Sequence, residues 1–447
     1  MIDKLRFYTS LILARMAFLG IKTFSKSEGT SFAGMIVFKF YPKFLTHCKN
    51  YIKEKSITVT GTNGKTTTSG LISHIIENAN QKVIHNLKGA NMLTGIINVF
   101  ALNLSPFKSF DYAVIEADEA YLTKVYDYMA FDYLVVTNLF RDQLDRYGEI
   151  STTANYIKNA ISKNPKLKLV LNADDPLVST FNTTESAVFY GFEDVQFDCN
   201  YDEHSKSPSE IFNCTCNSAL EYNKRFFAQQ GHYYCPKCGY QRPKCDYSAR
   251  AIIHNDYSEI KISNNEIEYD FRVNLVGLYN AYNALAAISL AFELGLNQAE
   301  IQKALNSFKS MFGRAEKRTI EGRQTLIQLI KNPTGASEVL KTVDLNSTIL
   351  IAINDEYADG RDMSWLWDSN FEKLKDANKK IIVSGKRAND VAVRLKYAGV
   401  DTNNIIIEPD IEKSITRILE SSKVGDNITI LPSYTALLKI NKLKLKK

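Results

Sequence analysis

The stretch ITVTGTNGKTTTSGLISHI, Ile57 to Ile75, limits the architecture more than any other part of the chain. A β-branched run passes directly into a glycine turn and then into a helix-forming segment. That order belongs to α/β folds, in which such a turn lies at the carboxyl edge of a parallel sheet. Gly61 and Gly64 allow backbone conformations that aim N–H groups at an anion, and the helix adds its positive amino end. Thr62, Asn63 and Thr67 complete a polar loop. Lys65 is placed to reach the β and γ phosphates of a nucleotide, and Thr66 to offer a hydroxyl to magnesium. The spacing departs from the general G-x-x-x-x-G-K-[ST] pattern, because Val59 stands where the first glycine would be.

Strand and helix signals alternate on both sides of this loop. DYAVIEAD, YLVVTNL and LKLVLNADDP read as further strands, which predicts a mostly parallel sheet covered on both faces. Residues 1–50 read as an N-terminal helical region, 51–312 as a central ATP-binding unit, 198–248 as a cysteine-rich insertion within it, and 313–447 as a second, Rossmann-like α/β unit. The last assignment rests on five apolar runs: QTLIQLI, STILIAIND, KKIIVSG, NNIIIEP and DNITILP. The boundary is placed at FGRAEK.

With 447 residues the chain can bury a large core without disulfides, and its net charge of +6 does not by itself argue for nucleic acid. The apolar run LILARMAFLGI is broken by Arg15 and too short to cross a bilayer, so it reads as a helix packed on the body, and the chain as cytoplasmic. The basic end KINKLKLKK reads as a solvated terminal element; the alternative is weak attraction to an anionic membrane surface, peripheral at its inner face.

Of seven cysteines, Cys214, Cys216, Cys235 and Cys238 form two close pairs, in NCTCN and YCPKCGY. CPKCG is a zinc-knuckle pattern, two thiolates approaching one ion while the glycine eases the turn. These four predict a structural, zinc-ribbon-like site that folds a module lacking its own core. C-x-C departs from the usual first pair, and Cys199 and Cys245 are near enough to replace Cys216. Cys48, beside His47, has no glycine elbow and reads as a packed thiol, so the chain holds no convincing cysteine nucleophile.

GTNGKTTT, with EADEA, NLFRDQLDRYGE, NADDP, GLYNAYNALAA and FGRAE, is similar to the Mur ligase superfamily. That resemblance implies phosphorylation of a carboxylate by ATP, followed by attack of an amine on the acyl phosphate. It implies that Glu116 holds magnesium together with Thr66, that Asn280 and Asn283 pair with adenine from one helical face, and that Arg314 reaches the nucleotide. Where the peptide-forming ligases carry histidine, this chain has Gln143, a poorer metal ligand, which leaves a second magnesium site in question.

GTSFAG, LKGANMLTGI, KNPTGASEVL, NDEYADGRDMSWLWD, SGKRANDVAVRLKYAG and LPSYTALL narrow the resemblance to the MurT family, the synthetase subunits of lipid II isoglutaminyl synthase. This implies a GatD-type glutaminase partner in a heterodimer, lipid II as substrate, and ATP, Mg2+ and structural Zn2+ as required small molecules. It implies that Asp355 completes the partner's Cys-His pair, with Asp359 and Asp362 as alternatives. Two rival readings stand: an ordinary Mur-type peptide ligase joining an amino acid, and an inactive nucleotide-binding zinc scaffold.

Overall fold

Strand β1 (Ile52–Thr60) begins exposed at Lys53–Lys55 and is fully buried from Ser56 onward, the pattern of a central strand covered on both faces. It lies inside a nine-stranded sheet with β2 (Val83–His85), β3 (Phe110–Glu116), β4 (Tyr133–Val136), β5 (Lys168–Asn172), β6 (Ala187–Asp198), β9 (Tyr247–His254), β10 (Ser258–Asn264) and β11 (Ile267–Val273). The order is β11-β10-β9-β6-β5-β4-β1-β3-β2. Every pairing from β9 to β2 is parallel, and only β9-β10 and β10-β11 are antiparallel. The coordinates are a computed structural model; they describe residues 2–24, 31–86, 90–142, 150–182, 186–198, 213–309 and 313–443.

Side chains alternate across the sheet. Ile57, Val59, Val114 and Val135 pack under the helices Lys65–Asn78 and Leu278–Glu293, whereas Ala113, Ile115, Leu134 and Val136 pack under the N-terminal helices and Leu93–Asn103. The first helix, Ile2–Phe24, buries Phe7, Leu11 and Ala14 against that second group, as its apolar pattern predicts.

A six-stranded sheet follows, built from β12 (Arg314–Ile320), β13 (Arg323–Gln328), β14 (Thr348–Ala352), β15 (Ile381–Ser384), β16 (Ile405–Ile407) and β17 (Asn427–Pro432). Its order is β12-β13-β17-β14-β15-β16. The five expected apolar runs are its parallel strands. The sixth, β12, starts inside FGRAEK and pairs antiparallel with β13, so a segment read as a boundary is itself a strand. Because the chain runs outward from β14 to β16 and returns to β17, the order reverses between β14 and β17. Ligand crevices open at such switch points.

Within 198–248, β7 (Glu221–Phe227) and β8 (Gln230–Tyr234) form an antiparallel hairpin. The insertion leans on the central sheet rather than standing apart: Arg242 bonds Asp174 at 2.6 Å, and Tyr233 donates to the Ala173 carbonyl at 3.1 Å.

Candidate active site

The phosphate loop is shaped by its two glycines and by the segment after β4. Gly61 and Gly64 have φ of 125° and 85°, and a Cβ on Gly64 would overlap the Asn283 amide. Thr62 N donates to the Asn138 carbonyl at 2.9 Å, Asn63 N to Asn138 Oδ1 at 2.9 Å, and Thr137 Oγ1 to the Asn63 carbonyl at 2.7 Å. These bonds leave the amides of the first helical turn, from Lys65, directed at the cavity, where an anion would meet them.

Lys65 is buried and ion-paired with Glu119 at 3.1 Å. Burial acts to lower its pKa, but the carboxylates of Glu119, Asp118 and Glu116 outweigh it, and the ammonium is held above its usual value. Glu116 ends β3, paired in register with Val59. Its Oε1 accepts from Asn91 Nδ2 at 3.0 Å and its backbone is clasped by Asn86. Its other oxygen, Oε2, is buried with no hydrogen-bond partner, as is Asp142 Oδ1. Hard oxygen donors of this kind, beside the Thr66 hydroxyl, fit magnesium.

Asn283 lines a smaller cavity of about 60 Å³, together with Phe227, Tyr279, Tyr282 and Arg314. Asn280 stands behind it: its Nδ2 donates to the Val276 carbonyl at 2.8 Å, and its Oδ1 accepts from Asn283 at 3.2 Å. The two asparagines are thus coupled, with Asn283 the one that borders the cavity. Arg314 lines this cavity and the main one. Burial lowers its pKa, while facing Glu116 and Asp142 act in the opposite sense.

The main cavity, about 320 Å³, is bordered by both sheets. Lys65, Thr66 and Glu116 come from the first; Asn354, Tyr357 and Asp359 come from the loop after β14. Across the switch point, Asn354 N donates to Ser433 Oγ at 3.0 Å. Asp359 is buried and accepts from Thr435 N at 2.8 Å, tying the loop to the helix that follows β17. Asp355 points elsewhere. Its side chain is 23% exposed and pairs with Arg387 at 2.7 Å. Asp362 accepts from Ser364 N at 2.9 Å. Of the two tryptophans, Trp365 is core, whereas Trp367 is exposed and meets Tyr397 edge-on.

Sequence reasoning did not pick out Glu119, Asp142, Lys331 or Asn332. Lys331 pairs with Asp142, and the amides of Asn332 and Asn63 bond each other at 3.0 and 3.3 Å. Asn332 also caps the helix Pro333–Leu340 through the Gly335 amide. The Asn-Pro start signal could have located this helix end.

The Sγ atoms of Cys214, Cys216, Cys235 and Cys238 all lie within 4.8 Å of one another, a spacing that suits one tetrahedral zinc ion. Hydrogen bonding from the Cys238 amide brings the Cys235 thiol down to about 6, which favours the thiolate. Cys245 is outside the cluster, contacting Arg242. Cys199 and Gln143 lie outside the described residues. Cys48 is fully buried, and burial pushes its thiol well up, as expected of a packed thiol.

A parallel sheet with a phosphate loop at its carboxyl edge, joined to a second α/β unit across a shared cavity, defines a Mur-type ligase. The Mur ligase middle domain family matches residues 59–291. A pseudomurein peptide ligase type C from Methanothermus fervidus is similar in fold, with a TM-score of 0.67 at 23% identity, covering 89% of this chain and 80% of that one. MurF ligase from Thermotoga maritima in complex with ADP has a TM-score of 0.63 at 13% identity, covering 91% and 83%. The MurT ligase C-terminal family matches residues 329–437. The lipid II isoglutaminyl synthase (glutamine-hydrolyzing) subunit MurT of Staphylococcus aureus (strain COL) is 36% identical over 438 residues, 97% of this chain and 96% of that protein. The chain belongs to the MurT family.

Proposed function

We propose that this chain uses ATP to amidate the α-carboxylate of D-glutamate in the lipid II stem peptide, giving D-isoglutamine. Ammonia comes from a separate GatD-type glutaminase subunit, and the two chains form a heterodimer at the inner face of the cell membrane. The observation that carries this reading is the single cavity bordered by Lys65 and Glu116 from one sheet and by Asn354 and Asp359 from the other. The near full-length likeness to a glutamine-hydrolyzing synthase subunit supports the choice of nitrogen donor.

The chain's own residues do three things. The amides of the loop and Lys65 hold and neutralise the triphosphate, Arg314 meets it from the junction of the two sheets, and Asn283, braced by Asn280, reads the base. Thr66 and Glu116 would hold magnesium, which when bound spreads the phosphate charge. Positioned so, the substrate carboxylate attacks the γ phosphorus and ADP leaves. Ammonia then attacks the acyl carbon, phosphate departs, and the nitrogen sheds a proton. Catalysis is positioning and charge stabilisation, with no covalent nucleophile on this chain. Asp355, on the exposed side of the same loop, serves the partner: a carboxylate there would fix the tautomer of a glutaminase histidine and stabilise its charged form.

The test is reconstitution of the purified chain with its glutaminase partner, ATP, glutamine and lipid II. ADP and new amide should appear in step, and oxygen label in the substrate carboxylate should pass to the released phosphate. ADP release without amide, or an amino acid joined in place of ammonia, would end the proposal.

A further inference from the structure

The first helix, Ile2–Phe24, uses only one side to pack. Phe7, Leu11 and Ala14 are buried, but Ile2, Leu5, Ile12, Met16 and Leu19 face outward and are 59–69% exposed. Their spacing of three and four residues gathers them on one stripe, interrupted only by Thr9. At 1.5 Å per residue the helix is roughly 35 Å long. Beside it, Arg15 Nη2 donates to the Leu104 carbonyl at 2.8 Å, and the adjoining turn Ser105–Lys108 carries Phe107, which is 100% exposed. A contiguous apolar face of this kind on a folded chain marks a contact surface.

Charge says what covers it. Between Met1 and Lys43 there are seven Lys and Arg against Asp3 and Glu28, net +5 of the chain's +6. Helical spacing puts Lys4 and Arg15 at one edge of the stripe and Arg6 at the other. A second copy laid along this stripe would bring like charges together, the reverse of what flanking positions of paired helices need. Phe107 adds an exposed apolar side chain that is not part of the helix. Ser31, at the start of the next helix, Phe32–Phe40, borders the main cavity, so the chain leads from this face to the site of reaction.

We propose that the outward face of helix Ile2–Phe24, with Phe107, docks the chain flat on an anionic phospholipid bilayer. Apolar side chains enter the headgroup boundary and the flanking bases pair with lipid phosphates. No helix among the described residues is long and apolar enough to cross a membrane, so the contact is interfacial. The choice of occupant rests in part on the lipid-linked substrate proposed above; the binding itself needs neither nucleotide nor substrate.

The experiment is co-sedimentation of the full chain with large vesicles of phosphatidylcholine, alone or mixed with phosphatidylglycerol. Binding is expected with the mixed vesicles and should weaken as salt rises. The double variant Ile12→Gln, Met16→Gln, which alters only outward positions, should lower binding about ten-fold or more at an unchanged melting temperature. Lys4→Gln with Arg6→Gln should cost about five-fold per charge, on the anionic vesicles alone. Wild-type chain that stays in the supernatant would overturn the proposal, as would an apolar variant that binds normally or equal binding to both vesicle types. A dimer in solution that the apolar variant dissociates would assign the face to a second copy instead. With lipid II as substrate, the apolar variant should slow turnover in vesicles and not in detergent micelles. Failure of amidation in both media while vesicle binding persists would count against the proposed reaction and leave docking standing.

Discussion

Two acidic loops leave the carboxyl ends of strands, one in each sheet, and they are built in opposite ways. EADEA follows β3. Glu116 there is 2% exposed, its backbone held by Asn86 and its side chain by Asn91, while Glu119 reaches back to Lys65. NDEYADG follows β14. Its buried member, Asp359, is tied to Thr435 beyond β17, and Asp355, 23% exposed, is paired with Arg387. The first loop sets every charge against a partner within the chain or toward the cavity. The second holds its carboxylates by partners outside the loop and leaves Asp355 partly exposed. The contrast fits the proposed division of labour, with the nucleotide chemistry within this chain and, in the loop after β14, a carboxylate offered to a partner.

The sharpest way to break that contrast is Asp355→Asn. In the complex with the glutaminase it should reduce glutamine hydrolysis by up to about 10⁴-fold, the scale of an acid that orients a catalytic histidine, and leave nucleotide affinity untouched. A variant complex that hydrolyses glutamine at the wild-type rate would remove Asp355 from the partner's site. Lys65→Ala should do the reverse. Loss of one preorganised cation at the transferring phosphate costs about 10²–10³ in the rate of amide formation, read as ADP release with lipid II and supplied ammonia. Equal damage to both activities by either variant would mean that the two loops are one site.

How much of this could be read from the sequence depended on distance along the chain. The phosphate loop is local: strand, glycines, lysine and helix are consecutive, so Gly61, Gly64, Lys65 and Thr66 are legible from conformation and charge alone. Glu116 was reachable through the family resemblance, which singles out the acidic residue at the end of that strand. Glu119 was not, since it lies 54 positions from Lys65 and nothing in either segment announces the pairing. The Asn63–Asn332 contact spans 269 positions and exists only because two sheets meet. The antiparallel strands β9 and β10 bury alternate residues, a period-two signal that the neighbouring cysteine-rich texture obscured. Strand β12 was lost for a different reason: RAEKRTI is mostly charged, and edge strands tolerate that where buried ones do not.

The cysteine insertion sharpens the comparison from a third side. Its hairpin reaches the loop that braces the nucleotide site: Gln229 Nε2 donates to the Leu139 carbonyl at 2.7 Å, and Phe227 borders the cavity beside Asn283. Cys235→Ser, or treatment with a chelator, should abolish zinc binding and loosen 213–248, seen as new proteolysis there. Losing a buried bond worth about 1 kcal/mol should also weaken nucleotide binding about five-fold. Zinc loss with fully retained nucleotide affinity would show the insertion to be a neighbour of the site and not a support.

The smallest effect tests the joint between the two sheets. Asn332 has two duties, capping its helix and exchanging amide bonds with Asn63. Asn332→Ala removes both, and the cap alone is worth about 1 kcal/mol. Asn63→Ala removes only the second. If the pair holds the phosphate loop against the second sheet, the double variant should be less damaging than the sum of the singles, with a coupling of about 0.5 kcal/mol or more. The denaturation midpoint would report it, and nucleotide affinity should follow the same cycle. Strict additivity in both measurements would reduce Asn332 to a helix cap. The two sheets would then be joined at the active site by the Lys331–Asp142 and Arg141–Asp368 ion pairs, a contact that salt should weaken and an amide pair would not.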